Sequence, residues 1–114
     1  IATLIIALIF AACAKKSTPT QTAAEPPKPK ATSFVTDVQP LIQAKCSPCH
    51  LPSKGGFKTN FENYAAAQKY AAQMVSRIEL NPGEKGFMPF KNPKLTEAEI
   101  KVFKKWVSDG TIEK

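Results

Sequence analysis

Residues 46–50 of this chain read CSPCH, and three of those side chains can act on one object. Positions i, i+3 and i+4 share one face of a helical turn, so Cys46, Cys49 and His50 can all be presented to a single flat partner. Two thiols and an imidazole so spaced form C-x-x-C-H, the attachment signature of c-type haem. In that chemistry the thiols add across the vinyl groups of the macrocycle as thioethers, while the imidazole reaches the iron.

Other uses of the same residues fit less of the pattern. A closed zinc site takes four ligands, commonly from two such cysteine pairs; here there is one pair and a single histidine. A dithiol of the thioredoxin kind sits where a strand meets a helix, and no strand pattern precedes Cys46. A Cys46–Cys49 disulfide is chemically possible but leaves His50 without a task. One covalently attached haem c is therefore the expected cofactor, with His50 as its proximal ligand.

An iron held by one imidazole needs a second axial ligand to pass electrons with little reorganisation, and methionine is the usual c-type partner. The chain offers two, Met74 and Met88. Met88 lies in GFMPF, between Gly86 and Pro89, far enough downstream to cross the other face of a haem. Met74 lies in AAQMVSRI, a helical stretch where methionine commonly fills a core. Met88 is the expected sixth ligand, with Met74 the alternative.

The elements that must position these groups read as helices. Phe34, Val38, Leu41 and Ile42 recur at helical spacing, although Pro40 interrupts them and predicts a kink or a restart. Asn60 or Thr59 can cap a second helix over 61–67. A third runs from 68 or 69 to 80 and stops before Pro82-Gly83. The last is marked by Thr96 and Glu99 as a T-x-x-E capping box, by Pro93 outside it and by Gly110 as its stop. Ile100, Phe103, Trp106 and Val107 form its apolar face. No stretch alternates with period two, so the sequence predicts an all-α domain.

The N-terminal third is unlike the rest. Residues 1–12, IATLIIALIFAA, are apolar throughout but fall short of the roughly twenty that span a bilayer. They match the apolar core of a secretory signal, and a few leading residues are expected before Ile1. IFAAC resembles the lipobox of bacterial lipoproteins, in which the cysteine, here Cys13, becomes diacylated and N-terminal; Phe10 stands where that family prefers an aliphatic residue. Residues 15–32 are rich in Pro, Thr and Lys with no large apolar side chain, so they cannot offset the entropy of ordering. The expected organisation is a signal and lipid anchor at 1–13, a disordered linker at 14–32 and one domain at 33–114.

Of the 114 residues, about 84 lie beyond residue 30, few enough for a core to be marginal without a metal or prosthetic group. The formal net charge is +7, but Lys15, Lys16, Lys28 and Lys30, partly balanced by Glu25, precede the domain and leave it nearer +4. That excess suits an acidic protein partner or an anionic surface, and equally an ordinary solvated one. Nucleic acid is not an expected partner. Fifteen of the sixteen basic residues are Lys, with Arg77 the exception and no aromatic–basic cluster to read bases.

PLIQAKCSPCH, MPF and LTEAEIKVFKKWVSDG, in that order within 33–111, resemble the class I cytochrome c family, above all the compact monohaem modules of bacterial lipoproteins and multidomain redox proteins. The resemblance implies a bundle of about four to five short helices wrapped around one covalent haem. It implies haem attachment at Cys46 and Cys49, with His50 the proximal and Met88 the distal ligand. It also implies that the first and last helices cross, bringing Trp106 or Phe103 near Phe34 and Val38. LPSKGG follows the motif where that family has a glycine and a proline, so the carbonyl that orients the His50 ring is not given by the likeness.

The function expected from these features is one-electron carriage on the periplasmic, extracytoplasmic side of a membrane, by a non-enzyme. The chain would be held there through lipidated Cys13 and exchange electrons with redox proteins, as a monomer or a subunit of a respiratory complex. Phe87 and Phe90 are expected to shield the iron, and some of Lys54, Lys58, Lys85 and Lys91 to ring an exposed haem edge. Two other readings use the same motif. Without a Met88–iron bond, the chain would be a haem-based ligand sensor or weak peroxidase; with a permanent partner, it would be an electron-relay subunit of a larger membrane redox complex.

Overall fold

Ser33 opens the first helical stretch through reciprocal hydrogen bonds. Its hydroxyl accepts from the Thr36 amide at 3.4 Å, and its own amide donates to the Asp37 carboxylate at 2.8 Å. In the computed structural model, which describes residues 28–114, Phe34–Val38 wind as a single π-helical turn and run straight into helix α1, Gln39–Lys45. Pro40 falls in the first turn of α1, where its missing N–H costs no intrahelical bond. The restart at Pro40 is thus accommodated by a widened turn just before it. The apolar run, Cys13 and most of the linker lie outside the described residues.

Two short helices follow, α2 at Tyr64–Lys69 and α3 at Ala71–Ile78. Asn63 caps α2, its side-chain oxygen accepting from the Ala66 amide at 3.0 Å. Asn60, one of the two caps expected from the sequence, is used in a turn instead and accepts from the Glu62 amide at 2.7 Å. The helix therefore starts three residues later than the sequence reading placed it. Tyr70, with φ −109° and ψ 10°, separates α2 from α3, so the expected helix over 68 or 69 to 80 is shorter at both ends.

Helix α4, Glu97–Ser108, has both halves of the Thr96–Glu99 capping box. It ends where Gly110 adopts φ 90°, with the Thr111 amide donating to Trp106 O at 2.8 Å and the Gly110 amide to Val107 O at 3.2 Å. That pair of bonds is a Schellman ending, which satisfies carbonyls the helix leaves unpaired.

The core lies between the π-turn, α3 and α4. Trp106, Phe34, Phe103, Ile42, Leu51 and Val38 are its largest fully buried side chains. Phe34 meets Trp106 with ring centroids 5.7 Å apart, and the indole N–H donates to Ile112 O at 2.9 Å. The first turn and the residues after α4 are stitched over this pair: the Phe34 amide donates to Ile112 O at 2.8 Å, and the Val35 amide to Glu113 O at 3.0 Å. Thr32 is buried, and its amide donates to the Asp109 carboxylate at 2.7 Å. Among the described residues there is no strand, only an isolated parallel bridge between Ser33 and Ile112, so the fold is all-α. No helix among them is long and apolar enough to cross a membrane.

Candidate cofactor site

Helix α1 delivers the C-x-x-C-H segment. The Cys46 amide caps α1 by donating to Ile42 O at 2.9 Å, and the His50 amide donates to Cys46 O at 3.1 Å. The motif therefore lies outside α1 as a hydrogen-bonded turn with a cis Ser47–Pro48 bond, not as the helical turn expected from its spacing, and the turn closed by His50 N–H and Cys46 O brings the three side chains to one crevice. After it, 50–61 folds back on the motif: Gly56 N–H bonds Leu51 O, Lys58 N–H bonds Cys49 O and Phe61 N–H bonds His50 O, each at 3.0 Å. Gly56 is a steric requirement of this return. A Cβ there would lie 2.2 Å from Pro48 O and 2.6 Å from Cys49 O, both rigid backbone atoms.

The His50 ring is held on two sides. Its Nδ1 lies 2.6 Å from Thr59 O. A carbonyl can only accept, so Nδ1 donates, and in the neutral ring Nε2 then carries the lone pair that can reach a metal. Phe61 stacks on the imidazole with centroids 4.4 Å apart and planes within 11°, and Tyr70 tilts against Phe61 at 6.2 Å. Thr59 thus supplies the orienting carbonyl that the resemblance left unassigned.

The segment after α3 carries Met88. The Met88 amide donates to Arg77 O at 3.2 Å, and the Phe87 amide to Glu84 O at 3.1 Å. Farther along, the Asn92 side-chain amide donates to Lys45 O at 2.7 Å and to Ser47 O at 3.0 Å, the carbonyls on either side of Cys46.

These two segments and α3 wall one crevice of about 580 Å³, within the roughly 300–1,000 Å³ of cofactor sites. Cys46, Cys49, His50 and Met88 all line it, and so does Met74 from α3. Of the expected site residues, Cys13 alone lies outside the described residues. Both thiols at the crevice are free. Burial pushes the Cys46 thiol up to about 11, so it rests as the neutral thiol and not as a metal-binding thiolate. Among the described residues no group of three or more His, Cys, Asp and Glu side chains could hold a metal ion by itself.

The crevice wall has one sign of charge. Lys45, Lys58, Arg77 and Lys91 line it, and no carboxylate does. Lys54 and Lys85, two of the four lysines expected at its edge, are exposed but not part of the wall. Phe90 sits on the wall yet is 80% exposed, as is Phe57 at 84%. Phe87 does not line the crevice, so the expected Phe87–Phe90 shield reduces to one ring at the rim.

Sequence reasoning missed four contributors: the Thr59 carbonyl, the Phe61 stack, the Gly56 approach and the Asn92 bridge. Only the Gly55-Gly56 pair carried a local signal, since adjacent glycines mark a tight turn or a close backbone contact. Compared with protein-family profiles, curated proteins and solved structures, the chain matches none.

Proposed function

We propose that this chain is a monohaem c-type cytochrome of the class I kind, carrying single electrons on the extracytoplasmic side of a membrane. The observation that carries the reading is the convergence of Cys46, Cys49, His50 and Met88 on one crevice. The residues suit haem in kind as well as in place. Two free thiols stand at attachment spacing, an imidazole has Nε2 available, and a thioether shares the wall. Three basic side chains on the wall, Lys58, Arg77 and Lys91, suit a ligand that carries carboxylates, whereas Lys45 is already paired with Glu99 at 3.1 Å.

Haem supplies a one-electron iron couple when bound, and the chain supplies what holds and tunes it. Cys46 and Cys49 would hold the macrocycle covalently, so that it would not be lost to open solvent. His50, its plane set by Thr59 and Phe61, would ligate the iron. Met88 would be its second ligand, a pairing that would raise the reduction potential. The helices would close around the haem as a bundle, adding a second apolar centre to the core that Phe34 and Trp106 already form. Cys13 would anchor the chain as a periplasmic lipoprotein, with 14–32 as the tether to its redox partners.

Protein matured in an export host that attaches haem is the material to test. Its haem should survive acid–acetone extraction and give a c-type pyridine haemochrome at one per chain, and a Cys46→Ala, Cys49→Ala double variant should release it. A folded, colourless wild-type protein from that host would overturn the reading.

A further inference from the structure

Asn92 joins two segments that each carry one proposed iron ligand. It lies four positions after Met88 in the chain, and its side-chain amide reaches back 47 and 45 residues to Lys45 O and Ser47 O. An asparagine amide has two N–H donors, and here both are used on the carbonyls that flank Cys46. A helix end such as that of α1 leaves carbonyls unpaired, and water could satisfy them without tying anything together. This chain satisfies them instead from the far side of the crevice sequence, with a partly buried side chain. On its other flank the Met88 segment is held by the Met88 N–H bond to Arg77 O. Met88 is therefore suspended between two anchors, one on α3 and one on the haem-attachment segment.

Resting on the haem reading above, we propose that Asn92 is a positioning residue that fixes the reach of Met88 to the iron by clamping its loop to the segment bearing Cys46 and His50. Without the clamp the loop retains its anchor on α3 but loses its register with the attachment segment. The thioether then competes less well against external ligands, while covalent attachment, which depends on Cys46 and Cys49, is unaffected.

The test uses the haem-loaded chain as wild type, Asn92→Asp, Asn92→Leu and Asn92→Gln. Asp keeps the size but cannot donate, and it turns a carboxylate toward two carbonyl oxygens; Leu removes the polar group; Gln keeps the amide one methylene farther out. Haem per chain, the red methionine–iron charge-transfer band of the oxidised protein, and imidazole affinity are measured, with the far-ultraviolet helical signal as the check on folding. The Asp and Leu variants should attach haem as wild type does, lose most of the band, and bind imidazole about tenfold more tightly or better; Gln should fall between. If Asp, the near-isostere, keeps both band and affinity, Asn92 only fills space and the proposal is overturned. Loss of attached haem in the variants, with the band intact in what remains, would overturn it too, by assigning Asn92 to the attachment segment alone. A wild type without covalent haem would sink the parent reading, a result told apart from the others by the untouched protein.

Discussion

The seam where residues 32–35 meet 109–113 and the crevice between Cys46 and Met88 hold their shape by different means. At the seam, the first turn and the last helix close over Phe34 and Trp106, with backbone bonds to Ile112 and Glu113 completing the contact. Aromatic side chains there are buried by other side chains. At the crevice, loops are held mostly by bonds to nearby residues, with Asn92 alone reaching back 47 and 45 positions, and two phenylalanines, Phe57 and Phe90, stay exposed at the wall. The seam is a finished protein core. The crevice is an open, partly apolar surface, and a small domain can keep one such surface when the rest is tightly closed.

The sharpest way to break that contrast is to damage the seam. Trp106→Ala leaves a large cavity and removes the indole bond to Ile112 O, which keeps only the Phe34 amide as donor, and should cost about 3–5 kcal/mol, enough to unfold much of a marginal domain. Urea unfolding should show that loss with or without attached haem; a loss confined to haem-free protein would mean the seam depends on the crevice.

A smaller effect separates the two regions from the other side. Gly56→Ala pushes a methyl group into Pro48 O and Cys49 O and should cost about 1–3 kcal/mol as an overpacked contact. Its distinguishing mark is local: haem attached per chain should fall while the Trp106 fluorescence stays that of a buried indole. Equal disruption of both would show that the regions do not behave separately.

The smallest expected effect is an acid titration of the seam. The Lys105 ammonium and then the Thr32 amide hold the Asp109 carboxyl below the usual carboxylate range. A carboxyl depressed in the folded state contributes stability above its unfolded value and loses it as pH falls through the folded one. Asp109→Asn should therefore be modestly less stable than wild type near neutrality, and the two unfolding curves should converge as pH drops below the usual carboxylate range. Curves that stay parallel in acid would remove this carboxylate from the seam.

What the sequence could reveal follows the reach of each interaction. Helix α4 was legible to the residue because its signals are local: Thr96 and Glu99 bond each other, and Gly110 ends the helix by its own backbone freedom. The restart at Pro40 was legible for the same reason. The start of α2 was not. Asn60 and Asn63 are equally good caps by type, and the choice between them goes with the docking of Phe61 on His50, a contact no local pattern contains. At the site, spacing alone named Cys46, Cys49 and His50, and loop context picked out Met88. Met74 lines the same crevice, so proximity by itself does not choose between the two methionines. The Thr59 carbonyl lies nine residues from His50 and the Asn92 bridge spans 47 and 45 residues, and in both the partner is a backbone carbonyl, which carries no residue signature.

The most direct test of a single-electron carrier is a spectroscopic redox titration of the export-matured, full-length protein. A single reversible one-electron transition is expected, with iron six-coordinate and low-spin in both oxidation states and the methionine signature abolished by Met88→Ala but retained in Met74→Leu. High-spin, five-coordinate iron in the wild type would contradict the His50–Met88 carrier and favour a haem that binds external ligands.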